Sequence, residues 1–247
     1  MAKQPKLVLR ESCVHDMTAD WPPGRFVEMG AGTGGMTRLF LQRQFTGVCH
    51  DLGEDSRQMM RDALAHWGGR IQVVDSVNEM PDGGFDYLLA FEVLEHIAND
   101  QEVLNAWSTK LRDGGRLIVS VPAHAKKFGR SDELVGHVRR YEKQQLHGLL
   151  RAAGYTDIRI VNYGFPITEF TRRFSNYLVR NDQSYTHLDS TQRSILSAQA
   201  KPKVVANWLK LISGQVVSPF CRVQRWFYGH DWGDGYVATA ARVPRLL

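Results

Sequence analysis

Apolar positions in this chain recur with two periods. Short runs at Phe26-Val27, Phe45 to His50, Ile71 to Val74, Phe85 to Phe91, Arg116 to Val121, Ile158 to Asn162 and Gly235 to Val243 read as seven strands. Segments of helical composition stand between or before them: 7–20, Met36 to Arg43, Ser56 to Trp67, Asp100 to Leu111 and Glu142 to Ala153. Turn residues punctuate the pattern. Trp21-Pro22-Pro23-Gly24 breaks the leading helix, Gly68-Gly69 stops the third, and Gly154 closes the fifth. Pro81-Asp82-Gly83-Gly84 and Asp113-Gly114-Gly115 turn into the strands that follow them. Strands alternating with helices predict an α/β fold with a doubly wound, mostly parallel sheet of seven strands, Rossmann-like in plan. The largely apolar run Phe85 to Phe91 suits a sheet covered on both faces.

The alternation stops between Phe165 and Trp232. Phe170, Phe174, Tyr177 and Leu178 recur at i, i+4, i+7 and i+8, an amphipathic helix. Val204, Val205, Trp208, Leu209 and Ile212 form a second stripe beside Lys203 and Lys210. An insertion of this size predicts a helical cap before the last strand, not a loop. Its stripes suit packing against the sheet or an amphipathic surface. The expected organisation is a cofactor-binding core over 1–164, a helical lid or substrate insertion over 165–232, and a last strand over 233–247 that returns to the core.

Charge sharpens that division. The 247 residues carry a net charge of +5, and residues 165–247 hold 11 Lys/Arg against 5 Asp/Glu. The basic excess therefore belongs to the C-terminal third. It suits a solvated face, an anionic ligand, a membrane surface or nucleic acid. Cys13, Cys49 and Cys221 lie far apart and no Cys/His zinc spacing occurs, so no disulfide framework and no metal site is expected. With no signal-like apolar core and no run long enough to span a membrane, a reducing cytoplasm is the expected location.

The candidate chemistry begins at Val27-Glu28-Met29-Gly30-Ala31-Gly32-Thr33-Gly34-Gly35. An apolar strand runs into glycines and then into helix-compatible residues. Such a loop lets a ligand approach the backbone and turns amide groups toward it. Gly30, Gly32 and Gly35 fit the dinucleotide spacing G-x-G-x-x-G, which does not by itself name the cofactor. Glu28 discriminates: a carboxylate there repels a pyrophosphate and attracts a cofactor carrying an ammonium and a sulfonium. E-x-G-x-G-x-G resembles the first motif of class I S-adenosylmethionine-dependent methyltransferases. Asp51 ends strand two, where a carboxylate can accept both ribose hydroxyls, although the same spacing suits a nicotinamide cofactor.

Further segments carry the resemblance. Phe85-Asp86-Tyr87-Leu88-Leu89-Ala90-Phe91-Glu92-Val93-Leu94-Glu95-His96-Ile97 is similar to a strand of the quinone-biosynthesis-like, small-molecule branch of that family. Leu111 to Pro122 is similar to its next strand, with Asp113 where a proline is usual, and Gly136 to Tyr141 resembles its H-x-R-x-Y segment. The likeness covers about residues 25–165. It implies S-adenosylmethionine as cofactor, with Glu28, Gly30, Ala31, Gly32, Gly34 and Asp51 around it. It also implies Asp75-Ser76 at the adenine, and Phe91 and Glu92 at the methionine end.

Methyl transfer asks the protein mainly to position and desolvate its reactants. An oxygen nucleophile must also lose a proton, and histidine is the usual base. His137, in a loop closing over the substrate side, and His96, one turn beyond strand four, are the candidate catalytic residues, with His124 a third; an amine or an acidic phenol needs no base. The expected function is methylation of a small-molecule acceptor at O or N. The alternatives are a lipid-linked or polyprenyl acceptor at a membrane surface and an RNA-binding methyltransferase. Against RNA, no nucleic-acid-binding module is visible. A nicotinamide oxidoreductase fits least, given Glu28 and the Phe85–His96 segment.

Overall fold

The computed structural model describes residues 4–182, 187–189, 192, 193, 195 and 217–244. The second apolar stripe, at 204–212, lies outside them. Seven strands form one sheet: β1 Arg25–Met29, β2 Thr46–His50, β3 Ile71–Val73, β4 Phe85–Phe91, β5 Leu111–Pro122, β6 Tyr155–Tyr163 and β7 Gly235–Arg242. Their order is β3-β2-β1-β4-β5-β7-β6, and only β7 runs antiparallel to its neighbours. Among the described residues the principal helices are α1 Pro5–Met17, α2 Thr37–Gln42, α3 Glu54–Leu64, α4 Asp100–Ser108, α5 Arg130–Leu134, α6 Lys143–Ala152 and α7 Ile167–Leu178. This is a Rossmann-like, mostly parallel arrangement.

Period-two alternation builds two cores from the same strands. Val27, Leu88, Ala90, Leu117 and Val119 face one side, under α4 and α6. Phe26, Leu89, Phe91 and Ile118 face the other, with Phe40, Phe45 and the inner face of α1. Trp21, in the expected break, stacks on Tyr87 at 4.7 Å, and the Tyr87 hydroxyl donates to the Pro22 carbonyl. The break is therefore a plug under the β1 end.

Three boundaries differ from expectation for local reasons. The leading helix starts at Pro5, whose missing amide costs nothing in the first turn. The third helix ends at Leu64 and continues as a 3-10 turn to Arg70, with Gly68 in the left-handed region. Asp113-Gly114-Gly115 lies inside β5 as an irregularity, because Leu111 already pairs with Phe85.

The largest departure is on α7. Phe170 is 71% and Tyr177 62% exposed, so that aromatic stripe is not core. The helix instead turns Thr168, Thr171, Arg172 and Ser175 toward a cavity at the carboxyl ends of the strands. Among the described residues, no helix is long and apolar enough to cross a membrane.

Candidate active site

A cavity of about 880 Å³ lies over the carboxyl ends of β1, β2 and β4. At one end the chain leaves β1 through the glycine loop. Gly30 has φ +66°, and a Cβ there would sit 2.6 Å from Val93, so both its backbone and its surroundings demand glycine. At Gly32 the space is open: a Cβ would meet no atom within 4 Å. The Gly32 amide donates to Asp51 Oδ2 at 2.8 Å and the Gly53 amide to Asp51 Oδ1 at 3.1 Å. Backbone donors thus fix the orientation of the Asp51 carboxylate at the cavity wall. Glu28 is buried and accepts from Thr37 Oγ1 at 2.6 Å. Burial pushes its carboxyl up to about 8, against the opposing pull of Thr37 and Arg10.

The structure brings Glu28, Gly30, Ala31, Gly32, Asp51, Phe91 and Glu92 to the cavity wall. Three of the expected cofactor residues lie off it. Gly34 faces Leu64 and Met60. Asp75 is exposed and held by Arg57 and Arg61. Ser76 caps the turn Val77–Glu79, accepting from the Asn78 amide, and Val77 is the residue of that segment that reaches the cavity.

At the other end the wall is built from charged side chains. Glu92 sits at φ +56°, just past β4. Lys6 Nζ lies 2.8 Å and Arg10 3.5 Å from its carboxylate, and Ser120 Oγ donates to it at 3.1 Å. Burial pushes this carboxyl up, but Lys6 and Arg10 outweigh it and hold Glu92 well below the usual carboxylate range. Neither cation was singled out in the sequence, because α1 precedes every motif. Arg10 also lines the cavity.

Beyond Glu92 lie both candidate histidines. Their rings meet edge to face at 4.7 Å. His96 Nδ1 pairs with the Gly136 carbonyl at 3.2 Å, and His137 Nδ1 with Asp132 Oδ1 at 2.9 Å. Backbone bonds staple the two segments: the Val138 amide donates to the Glu95 carbonyl and the His137 amide to the Asp132 carbonyl. Burial, with His137 adding to it, pushes His96 down to about 4. Asp132 is clamped by Arg140, whose Nε lies 3.0 Å from both its oxygens and whose other arm reaches Asp234 at 2.7 Å. Burial pushes Asp132 up, but His137 and Arg140 outweigh it and hold it at about 2. The third candidate, His124, is buried away from this cavity beside Tyr236.

Residues 9–160 match the family model described as a methyltransferase domain. No curated protein sequence matches the chain. Among solved structures, the Burkholderia thailandensis 1,6-didemethyltoxoflavin-N1-methyltransferase, with its substrate and S-adenosylhomocysteine bound, is similar. It is 23% identical, with 62% of this chain and 70% of that one covered and a TM-score of 0.51. The Haemonchus contortus phosphoethanolamine N-methyltransferase 2, solved with S-adenosyl-L-methionine, is 15% identical over 96% of this chain and 53% of its own, with a TM-score of 0.57. The cyclase SpnF is also similar, at 18% identity over 95% of this chain and 81% of its own, with a TM-score of 0.58. The chain belongs to the methyltransferase domain family, and its fold is that of the solved S-adenosylmethionine-dependent methyltransferases.

The residues present fit that cofactor. Asp51 offers a fixed carboxylate for a pair of ribose hydroxyls beside the bare edge of Gly32. The Arg10 guanidinium at the cavity wall suits an amino-acid carboxylate, and Glu28 suits an ammonium, which would restore its charged form.

Proposed function

We propose that this enzyme methylates a small-molecule acceptor at an oxygen or nitrogen, with residues 165–232 acting as a lid over the acceptor. When bound, S-adenosylmethionine would supply a methyl carbon on a sulfonium, open to in-line attack with the neutral thioether as leaving group. The glycine loop and Asp51 position the adenosyl half, and Phe91 and Glu92 border the methionine half. The wall formed by Thr171, Ser175 and Leu178 of α7 with His96 and His137 receives the acceptor. Asp132 keeps the His137 proton on Nδ1, which leaves Nε2 to take the proton that an attacking hydroxyl must lose. The observation that carries this reading is that one cavity joins the Asp51 end to the paired histidines. Its volume is at the upper end of those that hold a single drug-sized ligand, on the order of 300–1,000 Å³.

The likeness of Phe85–Ile97 to quinone-biosynthesis enzymes supports hydroxylated aromatics as the first acceptors to assay. Labelled S-adenosylmethionine should transfer its methyl to a member of a phenol and amine panel. His137→Asn should lower kcat by roughly 10²–10⁴ while S-adenosylhomocysteine still binds. Undiminished turnover in that variant removes His137 from the role; no uptake of S-adenosylhomocysteine by wild type removes the reading.

A second reading places the acceptor at a membrane surface. Phe170, Tyr177, Trp226 and Trp232 are exposed, with the cation Arg173 on the same helix as the first two and Arg180 just past its end. Flotation with anionic vesicles at low salt tests it, and protein left wholly in the aqueous fraction rejects it.

A further inference from the structure

Glu95, His96 and His137 converge beside the cavity. A carboxylate oxygen of the first and a ring nitrogen of each histidine all lie within 4.8 Å of one another. Each imidazole has its Nδ1 committed to an acceptor, the Gly136 carbonyl for His96 and the Asp132 carboxylate for His137. An acceptor at Nδ1 keeps the proton there and leaves Nε2 as a lone pair. His137 Nε2 stands 3.6 Å from Glu95 Oε1, too far for a hydrogen bond.

Glu95 is fully buried, and apart from the pull of its own backbone amide neither oxygen is hydrogen bonded. The neighbouring cations are already committed: Lys6 and Arg10 flank Glu92, and Arg140 bridges Asp132 and Asp234. Two imidazoles and a buried carboxyl group thus meet with neither Glu95 oxygen bonded to a ring nitrogen. A buried carboxyl group without a side-chain partner is costly, and a cation at the centre would satisfy all three groups at once.

We propose that Glu95, His96 and His137 bind one divalent transition-metal ion of the zinc, cobalt or ferrous class. Two imidazoles with one carboxylate suit these ions better than magnesium or calcium, which take mostly oxygen ligands. Three protein ligands leave coordination positions open, as in catalytic metal sites. His96 and His137 both line the cavity, so those positions face the acceptor. Behind the ligands the support is complete: Asp132 orients His137 and is itself locked by Arg140, while the Gly136 carbonyl orients His96. In one respect the inference rests on the methyl-transfer reading: in the metal-loaded enzyme the cation, in place of the His137 imidazole, would draw the proton off an acceptor hydroxyl.

The test uses full-length, tag-free protein, dialysed against a chelator and titrated with Co²⁺ while visible absorption is followed. One equivalent should develop a ligand-field band, and Zn²⁺ should bleach it. Glu95→Gln and His137→Ala should lose the band. Asp132→Asn should weaken Co²⁺ affinity by roughly tenfold to a hundredfold. Uptake of S-adenosylhomocysteine reports that each variant is folded, and His96→Gln replaces any that is not. Wild type that takes up S-adenosylhomocysteine but no stoichiometric Co²⁺ or Zn²⁺ overturns the metal site and leaves the methyl-transfer reading intact. A band that survives in the folded ligand variants places the ion elsewhere and overturns the proposal equally.

Discussion

The two ends of the cavity hold their carboxylates by different means. Asp51 is fixed by the backbone amides of Gly32 and Gly53, and Glu28 by a threonine hydroxyl. Glu92 and Asp132 are held by the side chains Lys6, Arg10 and Arg140, while neither Glu95 oxygen has a side-chain hydrogen-bond partner. The backbone-built end presents one fixed geometry. The side-chain-built end is a charge network whose members depend on one another, which gives it reactive groups and makes it vulnerable to single changes.

The sharpest way to break this contrast is at Arg140. Arg140→Met leaves Asp132 and Asp234 buried without their shared cation. Chemical denaturation should show a loss of about 3–5 kcal/mol, the cost of stripping one partner from a buried ion pair. A loss below about 1 kcal/mol would mean that the network is not cooperative. At the other end, Asp51→Ala should weaken S-adenosylhomocysteine binding roughly tenfold to a hundredfold, since hydrogen bonds to a charged group are worth about 1.5–3 kcal/mol. Calorimetry reads this directly, and unchanged affinity would move the ribose contact away from Asp51.

A pair of opposed pH slopes sharpens the contrast further. Glu28 is raised in the fold from 4.5 to about 8, so between those values the native state binds more protons than the unfolded chain and stability falls as pH rises. His96 is lowered from 6.5 to about 4, so over that window the unfolded chain binds more protons and stability rises with pH. Each slope is at most about 1.4 kcal/mol per pH unit. Glu28→Gln should flatten the fall and His96→Gln the rise in urea melts from pH 4 to 8. The same slope in wild type and Glu28→Gln would show that Glu28 titrates normally.

The contrast also explains what could be read from the sequence. The glycine loop, the strand alternation and Asp51 were legible because the cofactor end is made by local backbone geometry, and local geometry leaves a fixed spacing. Gly30 must be glycine in any context that bends this way. Lys6 and Arg10 left no such mark: a leading helix with two cations is unremarkable until the fold carries it across to Glu92. The Glu95, His96 and His137 cluster was hidden for the same reason, since its members come from two separated segments joined by the Val138–Glu95 backbone bond. The outward stripe of α7 was read only in part, because period shows which residues share a face and not which face the tertiary structure covers. Asp75 sits at a strand end, as expected, yet Arg57 and Arg61 claim its carboxylate, and no spacing rule foresees that competition.

The last feature is the pairing of Tyr163 with Gly235. The chain departs from the sheet at one of these residues and comes back at the other, so both ends of the intervening stretch are anchored side by side in a hairpin. Whatever is strung between two such adjacent anchors can be lengthened, trimmed or exchanged without shifting the register of either strand. Grafts between related chains therefore have a natural pair of splice points there.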